Sequence, residues 1–557
     1  MTHFTKKFIS LGLMLSSFFG LSAKVRPELP HLHIVGAGIV GGMEAYFAYV
    51  DSVKNNIPLH ITMYEQYDVL SKTTICNIVP SYTPDEILSV VPRGPELVKK
   101  LQVRFNEPGG IRVDDVARVN DSSITDHFKE QVQKYSLDEV GHAQRTQDLL
   151  ALGKMSMNLW QELYDTGDAE FKQILESCNF NPCREPKHNE KCLHDGYRID
   201  LIYNVSDAHQ RALNMKHDYE TLGYKHCAIL SPTEVAKLDP YLKDFCAAHS
   251  VDNMWNSDAV ALWRPGGCFD AQQFLPKLYE YLKKKMGTYK DEAGQEYPCF
   301  EIQFGKKVTS LEFATDEHGK MTIAGLNMHD GSRVPVTAND TCVFCPGEAI
   351  GTLKGWGLQE PAYAGFAGVS LLLTIDIPAD KIAEYKNFSH CMEVHQEGIV
   401  LAWQARFRDN KIFIGVAGTK AFYGDQRPTI DQEFAKNRNL LQLNMVNDVL
   451  PEFISLALHR NTKGQTLTYD DLALLERSNV AKRWSGVRAV VYDGFPTLGH
   501  VYKDNCVIMN ARCTTHLGSG GGSFAPAAVK ASRCCNAANN DEFINRILRC
   551  ACSTRVA

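Results

Sequence analysis

The chain of 557 residues lacks the marks of several large protein classes. It has no excess of one charge: 59 basic residues against 65 acidic ones leave a net charge of −6. That offers no basic footprint for nucleic acid, and no nucleic-acid partner is expected. There is no internal repeat, low-complexity tract or long run of like charge. Beyond the N-terminal segment, no apolar run is long enough for a confident membrane span. No Ser-His-Asp order and no paired-carboxylate arrangement stands out. The 17 cysteines show no zinc-ligand spacing, and no metal site is expected. What remains is ordinary for a globular protein: 44% hydrophobic and 22% charged residues, with a length that suggests two domains.

The N-terminus differs from the rest. Lys6-Lys7 precede an apolar run from Phe8 to Leu21, and Ser22-Ala23 supply small residues before Lys24. Residues 1–23 read as a secretory signal peptide or an uncleaved membrane anchor, so the expected location is exported or membrane-tethered rather than cytoplasmic. No twin-arginine pair is present. The cysteines leave the compartment open. Cys178, Cys183 and Cys192 lie in a polar stretch where an exported protein could form a loop disulfide. Cys342-Val-Phe-Cys345 matches C-x-x-C but lies on an apolar strand, where residues three apart point to opposite faces.

Chemistry-bearing patterns stand at both ends of the chain. His31-Leu-His-Ile-Val35 reads as a short strand running into Gly36-Ala-Gly38-Ile39-Val40-Gly41, a G-x-G-x-x-G turn, and then a helix over 39–54. A second strand, Leu59 to Tyr64, ends at Glu65, where a dinucleotide fold places its ribose-binding acid. Gly36 permits the tight turn. Gly38 lets backbone approach a pyrophosphate. Gly41 lets the helix pack closely on the strand. The helix points its positive end at the phosphates. An acid at Glu65 favours FAD or NAD over NADP. More than four hundred residues later come Trp484-x-Gly-x-Arg488, Asp493-Gly-x-Pro496 and a glycine-rich strand-to-helix turn at 518–522. A nucleotide held from both ends of a long chain is the habit of flavoenzymes.

Between them, the spacing predicts an amphipathic helix over 146–163, a strand over 197–204 and a capped helix starting at Ser231. Asp270 is expected to cap a helix reaching Lys285. Two meander strands follow at 307–313 and 322–328, then a buried strand from Thr341 to a glycine turn at Gly347. Antiparallel sheet is expected over 368–375, 399–406 and 411–415. Helices are expected over 434–449 and 523–532.

The order of these signals resembles the FAD-dependent D-amino acid oxidase-like superfamily over about residues 30–540, and is most similar to its bacterial D-amino acid dehydrogenases. Thr73-Thr74-Ile-Cys-Asn77 resembles the family's segment beside the flavin. Leu230 to Pro240 resembles its pre-substrate helix, and Gly266 to Asp270 its entry to a cofactor-domain helix. Phe344-Cys-Pro-Gly347 resembles a second cofactor-touching turn, and Val416-Ala-Gly-Thr419 a strand bordering the substrate. The resemblance implies an α/β fold: a Rossmann-like FAD-binding domain of the glutathione-reductase kind, and a second α+β substrate domain with a large antiparallel sheet. It assigns 30–105, 140–165, 266–360 and 481–545 to the first, and 106–139, 166–265 and 361–480 to the second. It implies FAD contacts at Gly36, Gly38, Ile39, Val40, Gly41, Glu65, Thr73, Thr74, Asn77, Val308, Gly347, Gly518, Gly520 and Gly521. The sequence departs from the pattern at Ile78, Val79, Ala367, Thr419 and Leu517 to Gly522, on the substrate side.

The chemistry of C–N oxidation needs few protein parts: a cation for a carboxylate, an acceptor or aromatic wall for an amine, and a positive dipole near the flavin. The glycine turn at 518–522 and its helix supply the dipole. Arg488 is the candidate carboxylate clamp, with a structural salt bridge or a cofactor contact as alternatives. His516 lines the pocket, tunes the flavin or is structural. Trp484 and Tyr492 form an aromatic wall or belong to the core, and Tyr82 follows the Thr73–Asn77 segment towards the pocket. The expected activity is oxidation of an amino acid or secondary amine to an imino acid, hydrolysed to a 2-oxo acid. Other amine or hydroxy-acid oxidation, or flavin binding without turnover, stand as alternatives. The expected partners are a small amine or amino-acid substrate and an electron acceptor of unassigned identity.

Overall fold

The computed structural model describes residues 29–73, 81–82, 112–113, 127–128, 130–132, 134, 139–178, 180, 191, 196–290, 294–347, 351–396, 399–424, 432–517, 521–536, 544–545 and 548. Two sheets organise them. The first is built on β1 (His31–Val35), which lies between β2 (His60–Glu65) and the strand Thr341–Phe344, all parallel. Phe300–Phe304 extends this sheet beyond β2, and Cys506–Thr515 beyond Thr341–Phe344. Strands from both ends of the chain are therefore neighbours in one sheet. The antiparallel pair Val308–Thr315 and Met321–Met328 continues it, with Arg333–Pro335 paired to the latter and Thr497–Lys503 paired to Cys506–Thr515.

The apolar alternation of β1 sorts its side chains. Leu32 and Ile34 face α1 (Ile39–Asn55) and the helix Ala271–Met286, in a core shared with Met43, Phe274, Leu278 and Val529. Burying a side chain such as Phe274 contributes about 1.5–3 kcal/mol. Val35 faces the other way, against Tyr64, Phe344, Leu311 and Leu326 of the meander side. Parallel strands covered on both faces are the expected α/β layering. Phe171, Ile174, Leu175 and Phe180, from a stretch grouped by sequence with the substrate domain, pack into this first core.

The second sheet is longer-stranded and largely antiparallel. Its order runs Ala481–Val491, Tyr363–Asp376, Lys411–Gly424, Ile399–Arg408, Ser389–Gln396, Tyr197–Tyr203, Ala259–Pro265, Ala228–Leu230. One face carries Leu371, Leu373, Ile375, Trp403 and Val416 into a core with Leu443, Val446, Phe453 and Leu472 from three helices between 432 and 477. The opposite face turns to the half built on the first sheet. Arg406 on that face pairs with Asp270, at the start of the helix Ala271–Met286.

Most expected elements are present at nearly the expected bounds. The 146–163 helix runs from Glu139 to Thr166, and Ser231 opens its helix with a capping box to Glu234. Asp270 is a correction. It stands at the N-cap position but makes no side-chain cap hydrogen bond. Its carboxylate instead takes the guanidinium groups of Arg406 and Arg408, because an ion pair offers it more than a neutral N–H. Cys178 is a buried free thiol, while Cys183 and Cys192 fall outside the described residues. The segment 1–23 also falls outside them. Among the described residues, no helix is long and apolar enough to cross a membrane.

Candidate functional site

The three glycines after β1 have distinct surroundings. Gly36 has φ +104°, and its N–H donates to the Tyr64 carbonyl at 2.8 Å. A Cβ there would lie 2.2 Å from the Cys345 carbonyl oxygen. At Gly41 a Cβ would lie 2.0 Å from the Gly36 carbonyl oxygen, so the helix sits directly on the turn. Gly38 is the opposite case: a Cβ would meet nothing within 4 Å. The turn therefore demands glycine at 36 and 41 for its own packing, but leaves open space in front of 38, at the N-cap of α1. Ile39 and Val40 form the first turn of that helix, whose leading N–H groups have no acceptor within the helix itself. Tyr279 donates to the carbonyl of Ala37 at 2.8 Å and braces the loop from behind.

Glu65 ends β2 beside this turn and is buried. One carboxylate oxygen accepts from Ala37 N–H and the other from Tyr67 N–H, both at 3.0 Å. The acid is thus fixed by the glycine turn itself. Lys306 N–H donates to the Glu65 carbonyl at 2.8 Å, which brings the start of the Val308 strand next to the acid. The Val308 side chain itself is buried in the meander core. Gly347, at φ +60°, follows Cys345, whose N–H donates to the Val35 carbonyl at 2.8 Å. Thr73 is buried, with its hydroxyl on the Leu70 carbonyl at 2.7 Å. Thr74, Asn77, Gly518 and Gly520 lie outside the described residues.

Gly521 opens the C-terminal helix, which runs to Arg533. A buried network binds that region to α1. Glu44, fully buried on α1, accepts from Arg512 at 2.7 Å and from the Thr514 hydroxyl at 3.2 Å. Arg533 stands 3.5 Å from the same carboxylate and reaches Asp51 at 2.6 Å. Burial opposes the charge on Arg512, yet Glu44 outweighs it and raises the pKa further. Sequence reading missed Glu44 and Arg512. The signal was there: an acid inside the apolar start of α1, and an arginine inside an otherwise buried strand.

The second sheet presents its own polar face. Phe366 pairs with Arg488, Gly368 with Gly486 and Ser370 with Trp484. Ser370 pairs in turn with Ala417, and Ala417 with Ala402, on the strand that carries Arg406. Arg488 and Trp484 therefore share the face turned to the nucleotide half. Two glycines make room for them. A Cβ on Gly368 would lie 2.3 Å from Arg488 Nη1, and one on Gly486 would lie 2.0 Å from the Trp484 ring. The W-x-G-x-R spacing is thus a local packing unit that lays an indole and a guanidinium over a bare backbone patch.

His516 is held on both ring nitrogens: Nδ1 lies 2.8 Å from the Thr497 hydroxyl and Nε2 2.9 Å from Glu360. Its ring stacks on Tyr363 and its backbone adopts φ +59°. Such a histidine is held in place rather than offering a free proton-transfer atom. Asp493 accepts from Phe495 N–H at 3.0 Å and shapes the turn that follows buried Tyr492. Tyr82 belongs to a two-residue strand that pairs with Gly267 and that lies against the C-terminal helix.

No protein-family model matches the chain, and no curated protein matches it. Solved structures do. The modified fructosyl peptide oxidase from Aspergillus nidulans is similar at a TM-score of 0.51 and 12% identity, over 94% of this chain and 94% of that one. Glycine oxidase from Geobacillus kaustophilus gives 0.49 and 11%, over 94% and 98%. L-proline dehydrogenase from P. horikoshii gives 0.48 and 13%, over 91% and 93%. At these identities the likeness is one of fold: the chain has a Rossmann-like half joined to a second, sheet-bearing half.

Proposed function

We propose that the chain binds FAD and oxidises an amine or amino acid at its C–N bond. The observation that carries this reading is the turn at 36–41, where glycine is sterically demanded at 36 and 41 while the space before Gly38 stays open beside the buried acid Glu65. That space, ringed by α1 N–H groups, suits a pyrophosphate, and Glu65 suits the ribose hydroxyls. The helix from Gly521, at the far end of the chain, packs against α1. The fold's likeness to the fructosyl peptide oxidase is consistent with it.

Bound FAD supplies the two-electron acceptor. The chain's own residues orient the donor. Arg488 holds the substrate carboxylate through its planar pair of N–H groups, and Trp484 walls the pocket. The helix dipole at Gly521 faces developing negative charge, and His516 fixes the turn before it. The finer reading is a D-amino acid dehydrogenase-like activity that yields an imino acid, then a 2-oxo acid. The Lys6-Lys7 and Phe8–Ala23 pattern supports export or membrane tethering, which N-terminal sequencing of the mature chain tests.

The deciding experiment is anaerobic mixing of the purified flavoprotein with D- and L-amino acids, N-methyl amino acids and hydroxy acids. Bleaching of the flavin band by an amine donor is the expected result. Bleaching only by hydroxy acids would move the chemistry to C–O bonds. No bleaching by any donor would leave a flavin-binding protein without turnover.

A further inference from the structure

The far end of β1 carries a feature the nucleotide site does not use. His31 and His33 lie on one face of the strand, with ring centroids 3.8 Å apart. Asp340 precedes the neighbouring strand, and its carboxylate stands 3.8 Å from His33 Nε2. One ligand atom from each of these three residues falls within 4.8 Å of the others. His33 Nε2 is buried and makes no hydrogen bond. Its other nitrogen is fixed by the Tyr64 hydroxyl at 2.9 Å. His31 Nε2 is fixed by Thr62 Oγ1 at 2.8 Å, and the Asp340 carboxylate by Thr337 N–H at 2.6 Å. Each candidate ligand thus has an outer partner that sets its orientation, as metal-bound imidazoles and carboxylates do.

We propose that His31, His33 and Asp340 form a divalent transition-metal site with an open fourth position for water. Two imidazoles and a carboxylate suit zinc, cobalt or nickel. Tetrahedral ligands stand about 3.3 Å apart at ordinary bond lengths, so the site closes on a metal with shifts of around 1 Å. His60 is not a ligand, because its ring stacks on His31 at an interplanar angle of 15°, face to face rather than edge-on to a shared point.

A second group, Asp200, Glu393 and His395, meets the same distance test. It is already neutralised by Arg198 and Arg264, which bind both carboxylates, and has no place for another cation. Among the described residues, the histidine site has no such arginine. It spans the first half of β1, about 10–16 Å from the glycine turn at the strand's other end. A metal there would staple β1 to the strand Thr341–Phe344 without touching the nucleotide site.

The test is cobalt(II) titration of the chelator-treated whole protein, followed by visible spectroscopy and by metal-to-protein ratio after gel filtration. The expected result is one cobalt per chain, with d–d bands and no thiolate charge-transfer band. His33→Gln and Asp340→Asn should each weaken binding at least about tenfold. His318→Gln, whose side chain is 71% exposed and outside the cluster, should not. Circular dichroism and flavin content report whether each variant folds, and Asp340→Asn decides alone if His33→Gln does not. Absence of stoichiometric cobalt, a thiolate band, or binding that survives both substitutions would overturn the proposal.

Discussion

The two halves handle buried charge differently. In the nucleotide half, Glu44 is reached by Arg512 and Arg533 from almost the other end of the chain, and the contact joins α1 to the C-terminal strand and helix. In the second half, Arg198, Asp200, Arg264 and Glu393 come from neighbouring strands and bind one another in a closed set. Tyr219 adds its hydroxyl and its ring to Arg264. The first arrangement ties segments distant in the chain to α1. The second fixes the mutual register of Tyr197–Tyr203, Ala259–Pro265 and Ser389–Gln396, since a one-residue slip would turn each charge to the wrong face.

The largest expected effect is in the closed set. Arg264→Leu leaves two buried carboxylates against one guanidinium, which should cost about 3–5 kcal/mol in urea unfolding. The pH profile sharpens this. Burial alone would raise the Glu393 pKa, but Arg198 and Arg264 outweigh it and hold it well below 4.5. The unfolded carboxyl takes up its proton nearer 4.5, so the folded state binds fewer protons in that range. The stabilisation is complete above 4.5 and declines as pH falls towards the folded-state pKa. Arg264→Leu should make that acid decline shallower. An equally steep decline in the variant would mean that the set does not control acid stability.

Next is the glycine turn. Gly36→Ala places a Cβ against the Cys345 carbonyl and forces φ +104° on an L-residue. Strain of about 1–2 kcal/mol and overpacking of about 1–3 kcal/mol sum to about 2–5 kcal/mol. The loss should appear in protein without flavin, measured by chemical denaturation. A stable Gly36→Ala apoprotein would remove the steric reading of that turn.

These two cases also show what a sequence carries. The turn was legible because its demands are local: Gly36, Gly38, Gly41 and Glu65 sit within thirty residues and at fixed offsets. The strands and helices around them were legible from apolar periodicity. The Arg198–Glu393 set was not, because its members lie far apart in sequence and meet only through sheet register. Asp270 was misread for the same reason. An acid before a helix is a capping signal, and only the docking of the second sheet supplies the arginines that claim it. His-x-His on β1 was visible in sequence, but its acid partner comes from Asp340. Arg488 stood in a recognisable motif, whereas its face of the sheet followed from pairing alone.

Arg488 tests whether that face serves the substrate. Arg488→Leu should retain flavin but weaken its reduction by an amino acid by roughly 2–4 kcal/mol, about thirty- to a thousandfold. Stopped-flow reduction with a neutral amine lacking the carboxylate is the control, and it should change much less. Equal losses for both donors would assign Arg488 to flavin positioning. No loss for either would leave it a structural group packed on Gly368.

The smallest expected effect on the fold is the sharpest for the cofactor. Gly38 has φ −78° and a Cβ there meets nothing within 4 Å, so a larger residue is sterically allowed in the empty protein. Leucine is a poorer N-cap than glycine, which should lower apoprotein stability by less than about 1 kcal/mol. Gly38→Ser should offset even that, since serine caps well. Both side chains nevertheless fill the space through which backbone would approach a pyrophosphate. The expected pattern is therefore near-normal unfolding of the apoprotein together with loss of bound flavin, read from the absorbance ratio of the purified variant. Gly36→Ala should lose both, because its clash is with the protein itself. Full flavin occupancy in Gly38→Leu would show that the open space before Gly38 is not where the cofactor's phosphates lie.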